Sequence, residues 1–233
     1  MLTRLGFRCL WVIGLVIPAF PSPAHSQAAK GDAGWKILFD GKSTENWRGY
    51  RSNSFPSRGW VIDNGCLKVQ AGVGGGDIVT KQKYENFELE LDWKVAPGGN
   101  SGVMYRVSEE AGAPYETGVE YQLLDDANHP DGQNAMTSAG SAYALYAPSQ
   151  KVVKPAGEFN HSRILVNGNH VEHWLNGVRI VQYEFGSDDL KSKIAKSKFR
   201  DLPTFAKVRS GNIDLQDHGN DVWFCKIRIR ELK

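Results

Sequence analysis

Apolar and polar residues alternate along most of this chain, as they do in β-strands that bury one face. The run at 87–93 (FELELDW) alternates without interruption, which gives it one apolar and one polar face. Glycine, asparagine and aspartate end such runs at short intervals, and the dipeptide Asn167-Gly168 predicts a tight hairpin turn. Further runs with the strand pattern lie at 101–107, 118–124, 163–166, 171–175 and 222–229.

Three stretches depart from this pattern. Residues 187–194 predict one short helix, with a serine suited to the N-cap, two aspartates in the first turn, and Leu190 and Ile194 on one face. Residues 125–159 contain few strand runs and much Ala, Gly, Ser, Pro and Asn, and they are too long for a simple connection, so we predict a functional loop there. The glycine-rich run at 72–76 lacks the following Lys-Ser/Thr of a phosphate-binding loop and is predicted to be a turn or the edge of a site.

The N-terminus has the features of a signal peptide. Arg4 and Arg8 precede an apolar run at 10–19, which is too short to span a bilayer, and the small residues at 24–26 (AHS) suit a cleavage site. We therefore expect an exported protein, periplasmic or secreted, with no transmembrane segment after cleavage. The predicted organisation is a signal peptide at 1–26, a flexible tail at 27–34 and one domain at 35–233.

Length and charge narrow the class of protein. The many short strands, the one short helix and a mature length of about 200 residues favour a single all-β domain, a β-sandwich or jelly roll. The chain has 28 Lys+Arg and 26 Asp+Glu, and loss of Arg4 and Arg8 would leave equal numbers of the two. Because this balance implies no basic face, nucleic acid is not an expected partner.

Two cysteines would remain after cleavage. Alternation places Cys66 on the face opposite to Leu67 and Val69, whereas it places Cys225 on the apolar face with Ile227. Side chains on different faces do not meet, so a disulfide is not expected.

The same alternation predicts a polar face with candidate chemistry. Glu120 and Gln122 point away from the apolar side of their strand, and Arg106 does so in the preceding strand. Gln216 and His218 face outward near the end of the chain. An acid, amides, a guanidinium and an imidazole suit the hydroxyl groups of a sugar, which also needs an aromatic platform. Candidates for the platform are Trp47, Trp60 and Trp174.

Several of these positions have a purely structural interpretation as well. The acidic residues that alternate in 88–92 fit the solvent face of a half-buried sheet, which is the interpretation we prefer for them. His173 lies between core-like positions and fits a structural histidine as well as a substrate contact. A cluster that could ligate a divalent cation, although its spacing matches neither an EF-hand nor a zinc module, comprises Asp125, Asp126, His129 and Asp131.

Ordered sequence runs across nearly the whole mature chain resemble the 3-keto-disaccharide hydrolase domain family. The runs are WKILFDGK at 35–42, GDIVT at 76–80, YENFEL at 84–89, GNSGV at 99–103, EYQLLDD at 120–126, KPAGEFN at 154–160, HWLNG at 173–177, SKF at 197–199 and LQDHG at 215–219. The resemblance implies a concanavalin A-like jelly roll with one short helix, and an enzyme that cleaves glycosides whose sugar has been oxidised to a ketone at C3.

This activity implies a proton-abstraction mechanism, which assigns roles to the polar face. A ketone at C3 acidifies the C2 proton, so a base can remove it, the C1 oxygen can leave, and water can add. We expect Glu120 or His218 to be the base, with Arg106 and Gln122 holding the enolate and hydroxyls. Residues expected to contact substrate elsewhere are Asp125, Asp126, His129, His173, Trp174 and Gln216.

Other functions compete with this one. A noncatalytic lectin-like carbohydrate-binding module would need the platform and the polar partners but no base. A structural interaction domain would bind no sugar. An ordinary glycosidase, which needs an acid and a nucleophile, ranks low because no convincing pair lies on one strand.

Overall fold

The computed structural model describes residues 34–233, which form two antiparallel β-sheets packed face to face. The predicted signal peptide and most of the predicted tail lie outside the described residues. Within the described part, no helix is long and apolar enough to cross a membrane.

The larger sheet has eight strands. Its order is β11-β10-β9-β6-β13-β4-β3, and β1 pairs with the end of β13 beyond β4. The strands are β1 (Trp35–Phe39), β3 (Trp60–Asp63), β4 (Cys66–Val69), β6 (Phe87–Val95), β9 (Asn160–Asn167), β10 (His170–Leu175), β11 (Val178–Glu184) and β13 (Val222–Glu231).

The smaller sheet has five strands in the order β2-β5-β12-β7-β8. They are β2 (Trp47–Gly49), β5 (Ile78–Thr80), β7 (Asn100–Val107), β8 (Val119–Leu124) and β12 (Asn212–Leu215). The core lies between the two sheets and is filled by the apolar face of each, as alternation predicts. In β6 the residues Phe87, Leu89, Leu91 and Trp93 are fully buried. The two glutamates between them face arginines on the outer side of the larger sheet.

The predicted helix and the predicted hairpin are confirmed. Helix α1 spans Asp188–Ala195, and the Ser187 hydroxyl accepts a hydrogen bond from the Leu190 N–H at 3.2 Å. Strands β9 and β10 pair across the turn that contains Gly168. The second Asn-Gly dipeptide joins β10 to β11, where Asn176 and Gly177 both adopt the left-handed backbone that this tight turn requires.

The expectation about the cysteines is wrong, because Cys66 and Cys225 form a disulfide. The two residues are direct neighbours in the pairing of β4 with β13, with their Cα atoms 4.4 Å apart. A bulge in β13 between Cys225 and Arg228, where Lys226 has a φ of 48°, inserts an extra residue. The apolar face of β13 therefore switches from one set of alternate residues to the other at the bulge. As a result, Cys225 points outward together with Cys66.

Candidate active site

Side chains from three strands of the smaller sheet point away from the core and form a polar floor. In β8, Tyr121 and its apolar neighbours at alternate positions belong to the core, so Glu120 and Gln122 face the other way. The neighbouring β7 contributes Asn100, and Gln216 follows directly after β12. Loops cover this floor, so that Glu120 is 8% and Gln122 only 1% exposed.

The floor and the loops above it enclose a cavity of about 240 Å³. It is smaller than a typical drug-sized pocket of about 300–1,000 Å³ and would enclose a small polar part of a larger ligand. Its walls come from strands, from the predicted functional loop and from the segment after α1. The lining residues are Asn100, Tyr115, Glu120, Gln122, Asp131, Tyr143, Lys198, Gln216 and His218.

Glu120 is the most strongly perturbed group that lines this cavity. Burial raises the pKa of its carboxyl from 4.5 to about 8, and the nearby charges of Asp77 and Asp131 act in the same direction. The positive charge of Lys198 opposes this shift. A side chain at Gly102 on the adjacent strand would collide with the Glu120 carboxyl, so glycine at this position leaves room for it.

Two more buried carboxyl groups lie beside Glu120. Asp214 stands in the same row across the sheet as Met104 and Glu120. It is fully buried, and its pKa is raised well above the ordinary value, mainly by burial and secondly by the charges of Asp77 and Glu120. Burial also raises the pKa of Asp77 to about 6, although its carboxylate accepts a 2.7 Å hydrogen bond from the Asp217 N–H. The floor of the site therefore favours protonated carboxyl groups.

Lys198 supplies the cation of the cavity. Its Nζ lies 4.2 Å from the centre of the Tyr143 ring, a cation–π contact that helps to hold the ammonium in place. The Tyr143 hydroxyl in turn donates a 3.1 Å hydrogen bond to Asp131. Asp131 and Tyr143 belong to the segment 125–159, so the structure places part of the predicted functional loop on the cavity wall.

Several buried polar atoms on this face have no hydrogen-bond partner among the described residues. They are Asn100 Oδ1, both amide atoms of Gln122, Gln216 Oε1 and both carboxyl oxygens of Asp214. Buried polar groups in native proteins are almost always paired, and a cluster of unpaired ones indicates a place where a ligand or water completes the set. A ligand that both donates and accepts hydrogen bonds, such as a polyhydroxylated ring, would match these amides.

Of the predicted site residues, the structure brings Glu120, Gln122, Gln216 and His218 together in this cavity. His129 borders it, because its Nε2 lies 3.4 Å from the Asn100 side-chain nitrogen. Their catalytic and binding roles remain predictions.

Arg106 does not reach the cavity, contrary to expectation. Its guanidinium donates hydrogen bonds to the carbonyls of Glu85 and Gly168 and lies 4.6 Å from the centre of the Phe185 ring. The cause is a bulge in the pairing of β7 with β12, at which Arg106 adopts a φ of 55°. The extra residue reverses the alternation and turns the arginine toward the larger sheet.

Asp125 and Asp126 stabilise loops rather than line the cavity. Asp125 accepts hydrogen bonds from the Gly98 N–H and the Asn128 side chain, and Asp126 accepts one from the Ala139 N–H. Within residues 34–233, no group of three or more His, Cys, Asp and Glu side chains is arranged to hold a metal ion.

The predicted aromatic platform is also placed elsewhere. Trp47 and Trp60 are buried in the core, and Trp174 lies on the larger sheet, where its Nε1 donates to Glu172 at 2.7 Å. His173 is fully buried and bonds to the Tyr105 hydroxyl at 2.8 Å, with its pKa lowered by burial to about 4. Of its two interpretations, the structural one fits this placement.

Sequence reasoning gave no site role to Asn100, Tyr115, Tyr143 or Lys198. Two of these carried a signal, because Asn100 lies in the GNSGV run and Lys198 in the SKF run that supported the family resemblance. Tyr115, which is 46% exposed, and Tyr143 lie in loops without a pattern.

Comparison with known proteins assigns the family. The model of the 3-keto-α-glucoside-1,2-lyase-like domain matches residues 34–230. The chain belongs to this family. A Bacteroides thetaiotaomicron relative of the family domain, named 3-keto-disaccharide hydrolase, is 34% identical, and the match covers 85% of this chain and 79% of that protein. The predicted family resemblance is thereby confirmed.

Solved structures confirm the fold of this lyase-like family member. A Parabacteroides distasonis protein, described as a candidate glycosyl hydrolase, superposes with a TM-score of 0.79 at 36% identity, covering 86% of this chain and 94% of that one. An endo-β-1,3(4)-glucanase of glycoside hydrolase family 16 shares the jelly roll at a TM-score of 0.51 and 11% identity, covering 86% of this chain and 92% of that one. The names of the Bacteroides and Parabacteroides relatives support assignment of the chain as a glycoside-cleaving enzyme.

Proposed function

We propose that this protein cleaves glycosides whose sugar carries a ketone at C3, by removal of the C2 proton, elimination at C1 and hydration. The observation that carries the proposal is a cavity in which an acid–base group, a cation and unpartnered amides converge. The names of the family and of the Bacteroides relative point to the same class of substrate.

Glu120 is assigned the base. A carboxylate that takes up its proton near pH 8 is a much stronger base than an ordinary glutamate, and its pKa lies close to the working pH, where general base catalysis is most efficient. The C2 proton passes to Glu120, and its electron pair forms the enolate between C2 and C3.

Lys198 and Gln122 are assigned to the enolate oxygen. An ammonium group and an amide N–H in a cavity shielded from water stabilise a developing oxyanion more strongly than they would in water. Lys198 thus takes the role that we had expected of Arg106. The other free amide atoms, on Asn100 and Gln216, would hold the sugar hydroxyls.

The remaining steps balance the reaction. The enolate re-forms the ketone as the C1–O bond breaks, and His218 protonates the departing oxygen. Water then adds to C1 of the enone, a proton returns to C2, and the products are a free 3-keto sugar and the released alcohol. The net change is hydrolysis.

An ordinary glycosidase mechanism is the second candidate, because Asp131 gives the cavity a carboxyl group besides Glu120. Two carboxyl groups flanking a glycosidic bond could act as acid and nucleophile or base. This mechanism never breaks the C2–H bond and does not need the C3 ketone.

Hydrolysis in D₂O separates the candidates. We expect the purified protein to release product from 3-keto-glucosides and not from the parent glucosides, and the 3-keto sugar to carry deuterium at C2 beyond that in a no-enzyme control. Glu120→Gln should lower the rate by roughly 10²–10⁴-fold, whereas Glu110→Gln, an exposed control, should not. Product without deuterium would favour the glycosidase, and binding without product would favour a noncatalytic module.

We also propose that the protein is exported. The disulfide between Cys66 and Cys225 supports this, since structural disulfides persist in oxidising compartments. Mass spectrometry of protein from the native host should find a mature N-terminus at Gln27, and a chain that retains residues 1–26 in the cytoplasm would contradict the proposal.

A further inference from the structure

A second cavity of about 560 Å³ lies on the same side of the smaller sheet. Its walls are mainly uncharged and include Tyr50, Ser54, Phe55, Ser57 and Pro114, with Asp77 as its acidic residue. Nothing in the proposed reaction at Glu120 uses this space.

The two cavities share a wall on the side of the β12–β13 connection. The carboxylate of Asp217 accepts hydrogen bonds from the N–H groups of Gly75 and Gly76, at 2.8 and 3.0 Å, and these glycines line the second cavity. Gln216 and His218, on either side of Asp217, line the first cavity. One aspartate thus ties the edges of both spaces together.

They share a second wall at the connection between β7 and β8. Pro114 lines the second cavity and the next residue, Tyr115, lines the first. In addition, Asp77 lines the second cavity while its charge acts on Glu120 in the first. The two spaces are therefore neighbours along one face and not separate pockets at distant points.

We propose that the second cavity is the subsite for the leaving group of the glycoside, the unit attached through the C1 oxygen. The inference rests on the proposed function, which places the oxidised sugar above Glu120. The first cavity, at about 240 Å³, cannot enclose both units of a disaccharide and also its catalytic contacts, whereas the adjoining space is more than twice as large.

The lining indicates the chemistry of that unit. Serine hydroxyls and glycine backbone groups suit hydroxyls, and the faces of Tyr50, Phe55 and Pro114 suit a flat ring. The pKa of Asp77, at about 6, leaves its carboxyl largely ionised at neutral pH, so it repels anions. The subsite therefore fits a neutral sugar or an uncharged aromatic alcohol rather than a phosphorylated or sulfated one.

The glycine loop explains how the subsite keeps its shape. Gly59 and Gly75 pack backbone against backbone, where any side chain would collide, and the Trp60 indole N–H donates a 2.8 Å hydrogen bond to the Gly76 carbonyl. The loop predicted to be a turn or site edge is thus fixed to the rim of the cavity.

Filling the subsite tests the assignment. Ser57 and Ser54 are exposed, and neither hydroxyl makes a hydrogen bond to the described residues, so Ser57→Trp and Ser54→Trp should fold. We expect each to lower kcat/KM for a 3-keto disaccharide at least about tenfold more than for the methyl 3-keto-glucoside, whose leaving group is minimal. Ser192→Trp on α1 is the matched control and should change neither value.

The loss of kcat/KM in the two tryptophan variants must be selective for the disaccharide. Gln122→Ala, in the first cavity, should lower kcat/KM for both substrates alike. If both tryptophan variants of the rim spare the disaccharide, or lower the two substrates equally, the assignment is overturned.

A binding measurement distinguishes failure of the subsite from failure of the proposed function. In the inactive Glu120→Gln protein, saturation-transfer NMR with the 3-keto disaccharide should show contacts to both rings, and addition of Ser57→Trp should remove those to the unoxidised ring. Contacts to the oxidised ring alone in the Glu120→Gln protein, or no binding, would overturn the subsite. Failure of the wild-type protein to cleave either glycoside would instead refute the proposed function.

Discussion

Replacement of Glu120 by glutamine should stabilise the protein while it removes activity. Burial raises the pKa of this carboxyl from 4.5 to about 8, so between these pH values the folded protein keeps a proton that the unfolded chain releases. The contribution to stability is complete below pH 4.5 and is lost as the pH rises toward 8.

The magnitude follows from the size of the shift. Each pH unit between 4.5 and the working pH costs about 1.4 kcal/mol, so the cost of retaining Glu120 is about 3 kcal/mol at pH 7 and about 4 kcal/mol at pH 8. At pH 5 the cost is below about 1 kcal/mol. Glutamine has no carboxyl to ionise and escapes this cost.

Urea unfolding at pH 5, 6, 7 and 8 measures the effect. The free energy of unfolding of Glu120→Gln minus that of the wild type should rise steadily across this range, because constant differences in hydrogen bonding cancel in the slope. Glu110→Gln, in which an exposed glutamate is changed, should give a flat line. A flat line for Glu120→Gln would refute the claim that burial at this site favours the protonated carboxyl.

Three other perturbations test the fold and the site. Cys66→Ser with Cys225→Ser should lower the free energy of unfolding by about 5 kcal/mol, since the disulfide closes a loop with a sequence separation of 159; an unchanged urea midpoint would contradict this. The pKa of His173 is lowered to about 4, so the wild type should lose stability as the pH falls from 6.5 to 4, and His173→Gln should flatten that loss in acid titrations followed by circular dichroism. Lys198→Gln should raise the pKa of Glu120, because the charge of Lys198 lowers it, and kcat/KM should then increase at a higher pH than in the wild type. An unshifted pH profile would contradict the interaction between Lys198 and Glu120.

Much of the fold could be predicted from periodicity alone. Strands β6 and β8 alternate cleanly, and the structure buries the apolar residues of each between the sheets. The helix at Asp188–Ala195 carried its own start signal in Ser187. These features depend on neighbours within a few residues, which is why sequence is sufficient for them.

The walls of the cavity could not be predicted in the same way. Tyr115, Tyr143 and Lys198 come from three separate loops, and they meet above β8 only because of how the sheets and connections pack. Lys198 lies in the SKF run, but no local pattern distinguishes Tyr115 or Tyr143 from surface residues. The outward direction of Glu120 and Gln122 on the floor could be predicted because β8 is regular. The loop residues that cover the floor are brought there by tertiary structure.

The predictions for Arg106 and Cys225 assigned each side chain to the wrong face of its strand, and both errors have one physical cause. Alternation assigns faces by counting in twos, and each bulge adds one residue and reverses every assignment beyond it. The bulges lie at Arg106 and near Lys226, whose positive φ values of 55° and 48° are unusual for residues other than glycine or asparagine, so nothing in the sequence marked them. The bulge at Arg106 removes a guanidinium from the vicinity of Glu120 and leaves Lys198 as the cation that lines the cavity. A guanidinium stays charged at any working pH, and close to Glu120 it would favour the ionised carboxyl and oppose the rise in its pKa. The irregularity that defeated the prediction is therefore part of what keeps the pKa of the buried Glu120 high.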